Sequence, residues 1–390
     1  MADKFTFSAG TNLPEIAEEV ADELFFLTRH VSPLLLELGF PNNLKIVENT
    51  KHEWQEDALL PNTGTINAGG GLGAGVTTLI FDSPQGLNFV IGDELQVAGS
   101  LEIMLVVAPT PTATNVEVVR GIKGTTAVTI PDDSVVERIS RPVLENAIAP
   151  TARPTNRSRV ANFTQIFQDT ASVTRSMQKV KLLSGIDDEL EHQIDGIMKD
   201  LMRDMARAVV SGRQQTANPE GTATTSRTMN GIVASILNGT SPSVTDALGG
   251  GLSESILNET LQDMWTKGGE PKLIAAPPAQ RRRLSALLEG RQRFPVENTT
   301  LGAVVERFVS DFGVLDVLAP DKFIPQNMVL VLDTAKIRGV KLGSEGNPFE
   351  VSELAKVGLT FRREVAAEVG LEIANAGDGG HALIQNLSTT

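Results

Sequence analysis

The sequence predicts an α+β protein with a small all-β module inserted into it. Three observations predict this. Six short β-rich runs bounded by turn residues fill 77–140, one long amphipathic helix follows at 184–211, and a succession of helix, strand, helix and strand meander fills 251–342.

Composition sets the frame. With 390 residues, 41% hydrophobic and 21% charged, the chain has room for two or three domains and an ordinary soluble balance. No run approaches the ~18 apolar residues of a membrane span, so no membrane partner is expected. The start, MADKFTFSAG, lacks an apolar signal core, which predicts retention in the cytoplasm. The absence of cysteine excludes disulfides, thiolate metal sites and a cysteine nucleophile. The histidines, His30, His52, His192 and His381, are scattered, so no local metal motif exists and neither metal nor cofactor is expected. Aromatics at 4% with no tyrosine argue against a stacking platform for single-stranded nucleic acid. The net charge of −14 repels phosphate backbones and speaks against a dedicated nucleic-acid binder. A container that must not adhere to nucleic acid gains from the same charge.

The elements follow in order. Ile16, Val20, Leu24 and Leu27 fall at helical spacing with acidic residues opposite them. Leu44, Ile46 and Val47 predict a strand. The polar stretch KHEWQEDAL surrounds Trp54, which reads as a core anchor, with a contact role as the alternative. Next comes AGGGLGAG, Ala68–Gly75. A phosphate loop requires a strand before the glycines and a helix after them. Here a turn-rich segment precedes and the β-branched VTTLIFDSP follows, so the expectation is a flexible connector into the β module.

The module's expected strands are 77–81, 94–98, 101–107, 115–120, 126–130 and 135–139, a spacing that suggests a small barrel or sandwich. Arg141–Arg159, with its prolines and arginines, reads as a return linker, and Val160–Ser176 alternates like a strand with one solvated face. The long helix carries Ile186, Leu190, Ile194, Ile197, Leu201, Met205 and Ala208 at steps of three and four. Asp187, Asp188 and Glu189 open it, Arg203 and Arg207 lie near its end, and Gly212 stops it. At ~1.5 Å per residue its length is on the order of 40 Å. Beyond it, 251–269 is a helix capped by Ser253, PKLIAAPP a strand, AQRRRLSALLEG a helix, and LTFRREVAAEVGLEIAN one or two long strands.

No arrangement supplies a nucleophile with its base. No serine stands in Gly-x-Ser-x-Gly. The kinase-like DFG at Asp311–Gly313 lacks its companion motifs and reads as a turn between strands. The carboxylates of IDDELEHQID fan around a helix with no matching second helix. The densest basic group is Arg281, Arg282, Arg283, Arg291 and Arg293, either a solvated helix face or a contact for an acidic neighbour or a phosphate.

Three blocks in this order, HEWQEDAL at 52–59, RVANFTQIFQDTASVTRSMQKV at 159–180, and FVSDFGVLDVLAPDKFIPQNMVLVLDTAKIRGVKL at 308–342 followed by SELAKVGLTFRREVAAEVGLEIANAGDGGHALIQNL, carry a resemblance. They resemble the major capsid proteins of tailed bacteriophages of the Hong Kong 97 fold, in the branch whose extended loop carries a β insertion. The resemblance implies an N-terminal arm at 1–40, an extended loop at 41–64 and 141–165, and an inserted β domain at 65–140. It further implies a peripheral domain at 166–212 and 336–390 with the long helix as spine, and an axial domain at 213–335. The implied function is self-assembly into an icosahedral shell enclosing the phage genome, in the virion capsid, after assembly in the host cytoplasm. Implied partners are copies of the chain in hexamers and pentamers, a separate scaffolding protein because only a short arm precedes the fold, a portal protein, a decoration protein, and double-stranded DNA enclosed without specific binding. Trp54 and the five arginines become intersubunit contact candidates, with no enzyme activity. An encapsulin-type compartment shell is the alternative within the fold, and an enzyme with a fold-assembled site the alternative outside it.

Overall fold

The computed structural model describes residues 31–143, 145, 157–180, 188–288, 306–343, 347–356 and 358–389. The helix expected around Ile16–Leu27, and with it most of the expected arm, lies outside the described residues. The chain divides into two compact units, Gln55–Ser158 and the residues that precede and follow it.

The larger unit is built on two sheets. In the first, the 14-residue strand Thr360–Ile373 is the axis. Its early part pairs antiparallel with Gln165–Thr174, from Thr360↔Thr174 to Val369↔Gln165. Its end pairs with Ile337–Leu342, which Lys45–Val47 extends in parallel, and Phe349–Glu353 pairs with its middle. Both long strands alternate: Phe167, Ala171, Val173, Val365, Ala367 and Val369 are buried, while Ile166, Gln168 and Ser172 are exposed. This is the pattern of an antiparallel sheet with one wet face.

The long helix, Glu189–Ser211, covers the dry face. Asp188 caps it by accepting a hydrogen bond from the Leu190 N–H at 2.8 Å, and acidic Glu189 and Glu191 complement the positive end of its dipole. Leu190, Ile194, Leu201 and Met205 are buried as the periodicity requires, and Ile197 and Ala208 are partly buried. Ile186 and Asp187 lie outside the described residues. At 23 residues the helix is about 35 Å long. The helix runs four residues beyond Arg207, so no basic residue stands in its last turn. Arg203 and Arg207 instead pair three residues back with Asp200 and Asp204, local attractions that do not need the dipole. The backbone ends the helix, with the Gly212 N–H bonded to the Ala208 carbonyl at 2.8 Å.

The second sheet has the order Ser243–Asp246, Ala382–Gln385, Val329–Leu332, Leu273–Ala275, Gly313–Val317, Glu306–Ser310, with parallel and antiparallel pairs mixed. Val329–Leu332 is buried at every position because both faces are covered. Leu330 and Leu332 join the core beneath the long helix. Val329 and Val331 join a second core under helices Glu254–Thr266 and Pro278–Leu288. Ser253 caps the first of these helices, accepting from the Ile256 N–H at 3.3 Å. Asp311–Gly313 is the hairpin turn expected there, with Gly313 at φ +134°. His381 is fully buried between these elements. Its Nδ1 accepts from the Asp333 N–H and its Nε2 donates to the Ala374 carbonyl, each at 3.2 Å, and burial pushes its pKa down to about 4, so it is neutral.

In the smaller unit, six strands run in the order Thr63–Thr65, Val135–Ser140, Glu94–Val97, Ile103–Val106, Asn115–Val119, Thr78–Ile80. The two end strands meet through an Ile66↔Phe81 bridge, with the Asn67 N–H on the Ile80 carbonyl at 2.9 Å and the Asp82 N–H on the Thr65 carbonyl at 3.0 Å. The sheet therefore closes into a barrel with its own core of Leu79, Phe81, Phe89, Leu95 and Met104 among others, and it leaves no free edge. Residues 126–130 contribute only a bridge at Ile130, and the sixth strand is Thr63–Thr65, too short and too polar to show in the hydrophobic pattern.

Ala68–Gly75 is not a flexible connector. Leu72 is 6% exposed, bridges Ile130 by a reciprocal pair of backbone hydrogen bonds, and enters the barrel core. Gly71 makes the approach: it has φ +79°, and a Cβ there would stand 2.7 Å from the Ile130 carbonyl oxygen. Gly71 lets the backbone press against the barrel, and Leu72 pins it.

Candidate functional site

Trp54 lies on strand Lys51–Glu56, which pairs with Ser158–Phe163 in a two-stranded ribbon. None of that strand's six residues is buried. A ribbon of two strands has no layer to close over a side chain, so Trp54 is half-buried and is not a core anchor. Its ring lies 5.9 Å from that of His52, tilted by 35°.

His52 in turn holds Glu372 near the end of the long strand, with Nε2 2.7 Å from Oε2, and Lys45 reaches the same oxygen at 2.9 Å. Burial pushes the Glu372 carboxyl up, but the hydrogen bonds from His52 and Lys45 outweigh it and hold the group below the ordinary carboxylate range. The root of the ribbon is thus tied to the first sheet by the His52–Glu372 hydrogen bond.

A second tie escaped the sequence reading. Between Ser158–Phe163 and Gln165–Thr174 the chain breaks pairing at Thr164, whose hydroxyl donates to Glu368 Oε1 at 2.6 Å. Arg227 bridges the same carboxylate and the Thr164 carbonyl, the latter at 2.6 Å from Nε. Asn162, 3% exposed, donates to the carbonyls of Asn230 and Leu371 at 2.9 and 2.7 Å and accepts from the Asn230 N–H at 2.9 Å. Each of these contacts joins residues 63 to 209 positions apart, and none carries a motif, so no local signal could have joined them.

The arginines of helix Pro278–Leu288 do not share a face, because consecutive helical residues are turned ~100° apart. Arg281 is packed inside at 8% exposure, with Nη1 3.3 Å from the Ser285 hydroxyl. Arg283 is half-buried against Gly251, and its Nη1 has no hydrogen-bond acceptor among the described residues. Arg282 alone is exposed. The reading of the three as one solvated face is therefore corrected. Arg291 and Arg293 lie outside the described residues.

On the same domain, a cleft of about 560 Å³ runs beside helix Glu254–Thr266 and is lined by Asp246, Glu259, Asp263 and Lys267 among others. It is open and charged, with no nucleophile–base pair. Among the described residues no group of three or more histidines or carboxylates is placed to hold a metal ion, and no helix is long and apolar enough to cross a membrane.

Within the barrel, Glu102 and Arg120 form a buried pair. Their side chains are 0% and 5% exposed, with Nε–Oε1 at 2.6 Å and Nη2–Oε2 at 2.7 Å. Arg120 Nη1 also reaches the carbonyls of Val76 and Gly73 at 3.1 and 3.4 Å, so this pair secures the far end of the glycine segment. At the barrel's exit Arg141 grips the fully buried Asp93, at 2.5 Å from Nε and 3.0 Å from Nη2.

Comparison with known proteins gives a consistent result. The family model described as SU10 major capsid protein matches residues 3–388. No curated protein sequence matches. Among solved structures the chain resembles the capsid of a native GTA particle, at 10% identity and TM-score 0.53, with 96% of each chain covered. It resembles the capsid of Cyanophage A-1(L) at 9% identity and TM-score 0.53, covering 96% of this chain and 97% of that one. A weaker likeness, at 13% identity and TM-score 0.44, covers 60% of this chain and 79% of the SrpI encapsulin of Synechococcus elongatus PCC 7942.

Proposed function

The chain belongs to the family of SU10 major capsid proteins, and from that premise we propose how its parts divide the work of building a shell. It is a major capsid protein with the Hong Kong 97 fold, a component of the phage virion capsid that associates with copies of itself. The encapsulin-type compartment is not favoured, since that likeness is weaker and partial.

The observation that carries the reading is the match of the family model over nearly the whole chain. We assign residues 1–40 to an arm, 41–64 and 141–165 to an extended loop, and 65–140 to an inserted β domain. The peripheral domain is 166–212 with 336–390, and the axial domain is 213–335. The two ties described above support this division. They anchor the ribbon Lys51–Glu56/Ser158–Phe163 at its root, which suits a projecting element that reaches a neighbouring copy. Trp54, Arg282, Arg283, Arg291 and Arg293 remain the proposed intersubunit contacts, in hexamers and pentamers, while Arg281, packed inside its own subunit, leaves that set.

The chain is proposed to act structurally, without catalysis. A scaffolding protein, a portal protein and a decoration protein are its proposed partners, and double-stranded DNA is enclosed without specific contacts. The acidic chain supports that last point, since it repels the packed phosphates. Expression of the full chain with its scaffolding partner, followed by light scattering and electron microscopy, tests the reading. Closed icosahedral particles are expected, and a monomer under every condition would overturn it.

A further inference from the structure

We infer that successive copies of the chain dock head to tail, with Arg282 of one copy seated in the acidic groove beside helix Glu254–Thr266 of the next. The inference rests on the shell reading and names the contact within it.

The groove lies between that helix and the edge strand Ser243–Asp246. It carries three carboxylates against one ammonium. Asp263 is paired with Lys267 at 2.8 Å, and the same ammonium donates to the Pro242 carbonyl at 3.0 Å. Asp246 accepts from the Leu248 N–H and from Asn386 at 2.8 and 2.7 Å, neutral donors that leave its charge in place. Glu259 is exposed and has no hydrogen bond or ion pair among the described residues. The groove is thus left with uncompensated negative charge and one free carboxylate on an outward helix face.

The complementary surface belongs to helix Pro278–Leu288. Pro278, Arg282 and Ala286 recur every four residues, so they form one line along it, and Arg282 and Ala286 are exposed. A guanidinium flanked by two short side chains stands clear of its helix. Arg282 has no ion pair among the described residues, and no residue of its helix lines the groove. Opposite charges on two different surfaces of one subunit specify a heterologous contact, the kind that closes into rings. Without such a partner, arginines repeated around a ring axis repel one another.

Charge exchange tests the pairing in the full chain. Arg282→Glu and Glu259→Arg are made singly and together, and assembly is followed by sedimentation velocity and electron microscopy. Both residues are exposed, so the thermal melt of unassembled chain serves as a folding control, with Arg282→Gln as a milder variant. Each single reversal is expected to lower the assembled fraction at least about tenfold, and the double variant to restore it to within a few-fold of wild type. An equimolar mixture of the two single variants satisfies every contact only when they alternate, so six-membered rings are expected to return and five-membered rings are not. Normal assembly of both single variants, or a double variant no better than either single, overturns the pairing while leaving the shell reading intact. Failure of the wild-type chain to assemble speaks against the shell reading itself.

Discussion

Replacing Arg120 by methionine tests the barrel most directly. The substitution keeps much of the side chain's apolar bulk and removes the guanidinium from a carboxylate that is 0% exposed. Glu102 then retains two N–H donors, Val128 at 2.9 Å and Gly121 at 3.2 Å, and no positive charge. The Val76 and Val128 carbonyls, at 3.1 and 2.5 Å from the guanidinium, lose their donor as well. Breaking a buried pair from one side costs about 3–5 kcal/mol, because the remaining charge stays in a low-dielectric site. Burial pushes the Glu102 carboxyl up, but Arg120 and the backbone donors outweigh it, and the group titrates below the ordinary carboxylate range. Its contribution is therefore present above the unfolded carboxylate pKa near 4 and is lost as pH falls through the lower folded value. Hydrogen exchange across residues 55–158 in the full chain reads the barrel's opening free energy by itself. The expected result is a loss of about 3 kcal/mol or more in Arg120→Met, with partial recovery in the double variant Glu102→Leu/Arg120→Met. A loss below about 1 kcal/mol would show that water reaches the pair, as in a surface ion pair, and the argument from burial would fail.

Four further outcomes are expected. Ile194→Asp, at a 6% exposed position under the first sheet, should lose about 3 kcal/mol or more in urea unfolding, and exposed Asp195→Ala next to nothing; equal losses would mean the buried face is misassigned. His381 is neutral when folded, with a pKa of about 4 against 6.5 when exposed. Stability should therefore fall by about 1.4 kcal/mol per pH unit between 6.5 and 4, and His381→Asn should flatten that slope. Gly71→Ala should destabilise the barrel by about 1 kcal/mol or more, read by the same exchange experiment, since its φ is +79° and the new methyl meets a carbonyl. Arg291→Glu with Arg293→Glu should leave the melting temperature of the unassembled chain unchanged and reduce assembly yield, and undiminished assembly would reduce these residues to a solvated face.

The sequence by itself determined what periodicity and covalent chemistry can carry. The stripe from Leu190 to Met205 placed the spine helix, because burying one face of a helix demands that spacing. Alternation in 160–176 and 360–373 placed the paired strands for the same reason at period two. The missing cysteines removed whole classes of chemistry, and the order of three loose blocks pointed to the family that the whole-chain model match shows. What only the tertiary structure decided are the contacts made by residues without a local signal. Closure of the barrel depends on Ile66 meeting Phe81, and the glycine segment lies against the barrel because Leu72 found a core built by distant strands. Trp54 missed the interior because its strand has one neighbour, and three consecutive arginines met three environments because a helix turns them apart. The tie at Glu372 joins groups from opposite ends of the chain, and the tie at Glu368 joins residues 141 positions apart. Charge attraction acts through space at a few ångströms, and only the fold sets which residues stand that close.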